Sequence, residues 1–235
     1  MLIAENIAKI EERIQKACNS AGRKRGEITL MAVTKFVPVE KIEEAYRCGI
    51  RCFGESRVKE AGEKFDDFKK KYSAAQLHMI GSLQRNKAKQ AASLFDCIQS
   101  VDRNELIDEL GKHPRIREDT QGALNILLEL HTGEKTKSGF ADFDALFKAA
   151  ELALNAVNIK PAGLMTMAPF TADKDLIRSS FRWLIKAESE LKKRFPSNEK
   201  DCSWDVLSMG MSNDFEIAIE EGSTLLRIGS AIFKE

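Results

Sequence analysis

The chain has 235 residues, 43% of them hydrophobic and 31% charged, with a formal net charge of +1. That balance supplies a core for one sizeable globular unit, and a near-neutral chain gives no general electrostatic case for a nucleic acid or an anionic membrane as partner. The five cysteines are scattered without a CxxC pair or a histidine at metal-ligand spacing, which argues for reduced thiols in a cytoplasmic protein rather than a disulfide framework or a metal site.

Ile3, Ile7, Ile10 and Ile14 repeat at helical spacing among charged residues, so the N-terminus reads as an amphipathic helix and not as a signal peptide. No uncharged apolar run approaches the ~20 residues of a membrane span. After the break at 21–26, Leu30 to Val33 reads as a buried strand that stops at Lys35, and Pro38 marks the start of a helix ended by Gly49. A lysine at the end of such a strand has two readings. Its amine snorkels into water, or its stem is desolvated, its pKa falls and it becomes a nucleophile.

Strand two is expected over 50–53, running into Gly54-Glu55-Ser56, and is followed by a helix marked by Val58, Ala61, Phe65 and Phe68. Strand three covers 77–80 and precedes a helix over 86–95. Strand four covers 97–100, with a helix through Leu110. The charged stretch 111–122 reads as a loop. Strand five, 124–130, opens into the loop 131–139, and helix 140–154 follows. Strand six covers 159–164, with a long helix through Phe195. Strand seven is expected over 204–207 and strand eight over 225–228. Eight short apolar strands alternating with helical patterns specify an α/β fold, a single (β/α)8 TIM barrel over residues 1–235 with an extra N-terminal helix.

In such a barrel function lies at the C-terminal strand ends, and the loops after strands seven and eight often hold a phosphate. Here those loops are Ser208-Met209-Gly210-Met211-Ser212 and Gly229-Ser230. Asn213, with Glu216 three residues on, resembles a capping box that aims helix N–H groups at an anion. Arg227 shares a face of strand eight with Gly229, and is either ion-paired with a strand carboxylate such as Glu129 or Asp205, or placed to touch a ligand. An amine, an anion cradle and an inward cation in one mouth suit a phosphorylated carbonyl compound held as a Schiff base. Pyridoxal 5′-phosphate fits; an aldolase acting on a sugar phosphate would use similar parts.

Val33-Thr34-Lys35, Phe53-Gly54-Glu55, His78-Met79-Ile80-Gly81, Ser100-Val101-Asp102, Gly163-Leu164-Met165 and the run from Leu207 to Phe233 closely resemble the pyridoxal-phosphate homeostasis protein family, which looks like the barrel domain of alanine racemase standing alone. The resemblance implies a pyridoxal phosphate aldimine at Lys35, phosphate binding by the last two loops (Ser208, Met209, Gly210, Ser212, Gly229 and Ser230), and Arg227 facing the pyridine nitrogen. It implies storage and delivery of the cofactor, affecting amino-acid and keto-acid balance, with pyridoxal-phosphate-dependent apoenzymes as recipients and a monomeric protein. The chain departs from the family where Ser56 replaces an asparagine that contacts the ring and Ser82 replaces a histidine.

Lys137, in a segment matching the family's lysine before Ser-Gly, is either a second amine that receives or releases the aldehyde or part of a solvated loop. His78 lies within a strand and reads as a satisfied core residue. The rival function is a pyridoxal-phosphate enzyme such as an amino-acid racemase with weak activity. Arginine at a ring nitrogen, with a pKa above ~12, leaves that nitrogen unprotonated and the ring a poor electron sink. A racemase also needs a second acid–base group, and Tyr46 and Tyr72 lie in expected helices.

Overall fold

A computed structural model of the protein describes residues 3–114, 122–132, 138–196 and 202–234. An opening helix α1 (Ile3–Ser20) leads into β1 (Thr29–Val33), α2 (Val39–Arg47), β2 (Cys52–Glu55), α3 (Val58–Lys71), β3 (Gln76–Met79), α4 (Ala88–Leu94), β4 (Cys97–Val101) and α5 (Asn104–Gly111). The second half comprises β5 (Leu124–Glu129), α6 (Phe143–Leu154), β6 (Ile159–Met165), α7 (Lys174–Arg194), β7 (Val206–Ser208), α8 (Phe215–Glu220), β8 (Leu225–Ile228) and α9 (Ser230–Phe233). The eight strands are parallel and close in sequence order, β8 pairing with β1. The expected (β/α)8 barrel is the fold.

Strand alternation sorts the side chains into two compartments. Leu30 and Ala32 face the helix-side core, whereas Met31 meets Cys52 and Leu225 inside the barrel. Cys97, Leu127, Ala162 and Met165 form a second interior cluster. The helix α1 buries all four of its periodic isoleucines, each contributing roughly 1.5–3 kcal/mol as an upper estimate. It packs on α8 and α9, where Asn6 Nδ2 donates to the Ile232 carbonyl at 2.9 Å. Those last two helices are short, and α1 supplies the apolar cover they lack.

Boundaries shift where local bonding intervenes. Ile50, expected in strand two, instead ends α2: Gly49 adopts a φ of 98° and the Ile50 N–H returns to the Ala45 carbonyl. The strand therefore starts at Cys52 and takes in Gly54 and Glu55. Trp204, expected to open strand seven, has a φ of 54° and donates its indole N–H to the Phe195 carbonyl at 3.0 Å. It fills the helix-side core ahead of β7. Phe140 bridges to Leu130, and α6 begins later, behind an Asp142 cap whose carboxylate accepts the Ala145 N–H at 2.8 Å. Most of the expected loop 111–122 lies outside the described residues. The five cysteines carry no disulfide. Among the described residues no helix is long and apolar enough to cross a membrane.

Candidate functional site

The β1–β8 register pairs Met31 with Arg227 and Ala32 with Ile228, so the end of β8 arrives beside the end of β1. Gly229 makes this possible: a Cβ there would lie 3.2 Å from Val33 Cβ and 3.3 Å from its carbonyl oxygen. Lys35 follows β1 in a turn closed by the Val37 N–H on the Thr34 carbonyl at 2.9 Å. It is exposed, so the apolar surroundings expected for its stem are not supplied by the protein. Phe36, the third residue of this turn, has a φ of 62°, a conformation that costs a non-glycine residue on the order of 1–3 kcal/mol.

Two groups from α3 hold that turn. Glu60 Oε1 accepts the Phe36 N–H at 2.7 Å, and Lys64 Nζ donates to the Thr34 carbonyl at 2.8 Å. Lys64 also bridges Glu60 at 2.6 Å and Glu55 at 3.1 Å. Glu55 is fully buried on the helix side of β2 and accepts the Thr34 hydroxyl at 2.7 Å. Its Oε2 is buried without a hydrogen bond. Burial raises the Glu55 pKa, opposed by the Thr34 bond and by Lys64.

The loops after β7 and β8 come together, with the Ser230 hydroxyl 3.3 Å from the Ser212 hydroxyl. Gly210 has a φ of 96°, and a Cβ there would lie 2.6 Å from Ala218 Cβ. The first turn of α8 is organised by Asp214, which accepts the Met211 N–H at 2.5 Å. The expected Asn213–Glu216 capping box does not form: Asp214 is the residue before α8, and Glu216 pairs with Arg13 of α1 at 2.6 Å. A cavity of about 400 Å³ is lined by Lys35, Phe36, Lys41, Gly229, Ser230 and Phe233, among others. The amine and the β8 loop therefore share one space. Gly210→Ala is expected to cost roughly 1–3 kcal/mol of stability through strain and overpacking, whereas Gly229→Ala, which needs only a small displacement of Val33, should chiefly alter this cavity. Urea midpoints of the two variants compare the costs.

Arg227 lies inside the barrel, 4% exposed. Its guanidinium donates to the Ser208 hydroxyl at 2.7 Å and to the Thr166 carbonyl at 2.8 Å. Burial lowers its pKa to about 10, with Asp214 and Glu129 acting against the shift, so it remains a cation at neutral pH. Asp205, one of the carboxylates considered for it, pairs with Lys192 at 3.0 Å. The Ser208 hydroxyl is engaged inside the barrel with Arg227 and with Gln99. The Met209 side chain is likewise buried in the helix-side core.

Ser56 follows β2 against the β3 end, where a Cβ at Gly81 would lie 2.4 Å from the Ser56 carbonyl oxygen. After β5, Leu130 packs in the helix-side core and the Thr132 hydroxyl accepts from Ser180 of α7 at 2.5 Å. Between them lies His131, half-buried, whose Nδ1 is buried without a hydrogen bond. The Tyr46 and Tyr72 rings meet at 4.5 Å, tilted by 39°, in the helix layer, away from the mouth. Lys137 lies outside the described residues.

Residues 6–235 match the family model of the alanine racemase N-terminal domain. A pyridoxal phosphate homeostasis protein of Aquifex aeolicus is 37% identical over 240 residues, covering 100% of this chain and 99% of the relative. Its counterpart in Escherichia coli K12 is 36% identical, covering 98% and 95%. The chain belongs to the pyridoxal phosphate homeostasis protein family. Among solved structures, PipY of Synechococcus elongatus PCC7942 with pyridoxal phosphate bound has a TM-score of 0.81 at 29% identity, covering 98% of this chain and 99% of PipY. Alanine racemase from Corynebacterium glutamicum shares the fold, with a TM-score of 0.69 at 14% identity, covering 100% of this chain and 61% of the racemase.

Sequence reasoning missed the Glu55–Lys64–Glu60 clamp, Gln99 and the buried Nδ1 of His131. The i,i+4 spacing of Glu60 and Lys64 was a usable signal for a helix-surface pair, but its attachment to Thr34 and Phe36 exists only once α3 packs beside β1. Nothing local marks Gln99, since a glutamine between Ile98 and Ser100 reads as part of an apolar strand.

Proposed function

We propose that this chain binds pyridoxal 5′-phosphate and serves homeostasis of that cofactor in the cytoplasm, with Lys35 holding its aldehyde as a Schiff base. The observation that carries the reading is the cavity of about 400 Å³ shared by Lys35, Gly229 and Ser230, a size suited to a small cofactor. The protein's groups fit a phosphorylated aldehyde. Gly229 lets the end of β8 close on Val33 of β1, and the Ser212 and Ser230 hydroxyls converge beside it, where a phosphate would find donors. Lys35 supplies an exposed amine, and Arg227 a buried cation for the far side of a ring. When bound, the cofactor supplies an electrophilic aldehyde conjugated to a heteroaromatic ring. The printed names of the relatives and the ligand of PipY support this assignment. A monomer that hands the aldehyde to apoenzymes, with Ser56 near the ring and Lys137 in transfer, completes the carrier reading.

The test is a comparison of pyridoxal 5′-phosphate with pyridoxal. Loss of the phosphate removes several charge-assisted hydrogen bonds, each worth roughly 1.5–3 kcal/mol. Pyridoxal should therefore bind at least about a hundredfold more weakly. Equal affinities would remove the phosphate site, and with it the carrier reading.

One observation favours a second reading, an amino-acid-processing enzyme of weak activity. β5 stands across the closed barrel from β1, and His131, which follows β5, has a buried Nδ1 without a hydrogen bond, a candidate for the second acid–base group that such an enzyme needs. Slow exchange of the α-proton of L-alanine in deuterated water, with D-alanine formation absent or marginal, is the expected result for the holoprotein, because Arg227 disfavours extensive carbanion chemistry. Turnover at ordinary racemase rates, lost on replacing either Lys35 or His131, would promote the enzyme over the carrier.

A further inference from the structure

A buried cation has to be aimed as well as neutralised, and the barrel interior contains a one-way chain of hydrogen bonds ending on Arg227. Arg227 Nη1 donates to Ser208 Oγ at 2.7 Å. Having accepted there, the Ser208 hydroxyl spends its single proton on Gln99 Oε1 at 2.6 Å. That bond sets the Gln99 amide: with Oε1 toward Ser208, its Nε2 faces His78 Nδ1 at 2.8 Å. His78 Nδ1 therefore accepts, and the imidazole is neutral with its proton on Nε2. Burial favours that state, lowering the His78 pKa to about 4. With the Gln99 amide in this orientation the chain runs with one polarity from Arg227 to His78, and only a turn of that amide, with a change of His78 tautomer, would reverse its far half.

The chain is also a strut. His78 is on β3 and Gln99 on β4, whereas Ser208 and Arg227 are on β7 and β8. The bond between Gln99 and Ser208 thus crosses the barrel between strands that are not neighbours in the sheet. At its far end His78 borders a cavity of about 280 Å³ lined also by Thr29, Gln76, Asn125 and Thr224, at the N-terminal ends of the strands. Gln99 is fully buried. Apolar side chains of similar volume would fill the same space without the desolvation cost of a polar chain, so folding alone gives no reason for it.

We propose that Gln99 and His78 are positioning residues, which act through Ser208 to hold the Arg227 guanidinium toward the ring nitrogen of the bound cofactor. The proposal rests on the carrier reading above and adds to it two residues remote from the mouth. Without His78 Nδ1 the Gln99 amide loses its anchor and can rotate, and an amide turned around presents Nε2 to Ser208. The Ser208 proton then has no fixed acceptor, and the hydroxyl that receives Nη1 is no longer held in place; the guanidinium keeps its charge and its Nη2 bond to the Thr166 carbonyl but loses the firmer of its two anchors.

The experiment measures binding of pyridoxal 5′-phosphate and of its 1-deaza analogue, in which the ring nitrogen is a CH group, to the full chain and its variants. Wild type should prefer the nitrogen-containing ligand by roughly ten- to a hundredfold, the worth of one hydrogen bond to a charged group. Gln99→Leu and His78→Leu should bring that preference close to unity while the affinity for the deaza analogue changes little. His78→Asn, whose Oδ1 can accept where Nδ1 did, should restore it. Thermal melts and near-ultraviolet circular dichroism identify the folded variants; if Gln99→Leu does not fold, the His78 pair decides. A nitrogen preference retained in folded leucine variants, or an equal loss of affinity for both ligands, would overturn the positioning role. A wild type that binds both ligands tightly without preference would also overturn it, and would leave the carrier reading standing. A wild type that binds neither would remove the carrier reading itself.

Discussion

A Lys35→Ala variant is expected to lose all borohydride-fixable pyridoxal phosphate and its yellow absorbance, while unfolding at nearly the wild-type temperature. Lys35 is exposed and follows β1 instead of sitting in it, so truncation removes little buried surface. Surface changes of this kind usually stay within about ±0.5 kcal/mol of stability. The phosphate cradle proposed at Ser212, Gly229 and Ser230 is untouched by the substitution. Noncovalent binding should therefore persist, supported by phosphate bonds worth roughly 1.5–3 kcal/mol each. Borohydride reduction followed by peptide mapping checks the linkage, and equilibrium dialysis checks the residual affinity. An unchanged covalent band in Lys35→Ala would mean that another amine is the attachment point.

The second large effect is expected from Lys64→Met. Lys64 is 13% exposed, and the Glu55 side chain it contacts is wholly buried. Removing one partner of a buried pair typically costs about 3–5 kcal/mol, because the other charge is left unpaired. Here the loss has a pH dependence with a definite sign. Burial already raises the Glu55 pKa in the folded protein, and Lys64 is one of the groups opposing that rise. Without Lys64 the folded pKa climbs further above the unfolded value. A raised folded pKa means that this group's contribution is fully present below the ordinary carboxylate range and is lost as pH rises through the folded value. The variant should accordingly be most destabilised at neutral and alkaline pH and least so near the bottom of the carboxylate range. Urea midpoints across that range, compared with wild type, provide the measurement. Glu55→Gln in the same background should recover much of the loss. A pH-independent deficit would assign the cost to lost packing instead.

Lys64→Met carries a functional consequence as well. Thr34 and Phe36 flank Lys35, and both are tied to the Lys64–Glu60 pair. Weaker cofactor retention than in a surface variant such as Lys59→Met is therefore expected, and it can be read from the same dialysis.

The periodicity of the chain determined the barrel. Isoleucines at helical spacing placed α1, and strand eight was read at its observed limits, because apolar spacing is a local property that survives packing. The meeting of the last two loops was also legible, since Gly210, Ser212, Gly229 and Ser230 follow two strand ends that any closed barrel brings side by side. Strand alternation put Arg227 inside before any contact was known. Tertiary structure alone decided what those side chains touch. Ser208 is one residue of a small-residue loop by its sequence, yet its hydroxyl belongs to the interior because β7 starts two residues and ends one residue later than its apolar pattern suggests, which takes Ser208 into the strand. Asn213 looked like a helix cap until Asp214, 7% exposed, captured the Met211 N–H. Glu55, Lys64, Gln99 and His78 gain their roles from partners 9 to 109 positions away. Hydrogen bonding is directional and operates over a few ångströms, so such partnerships exist only after the hydrophobic pattern has closed the barrel.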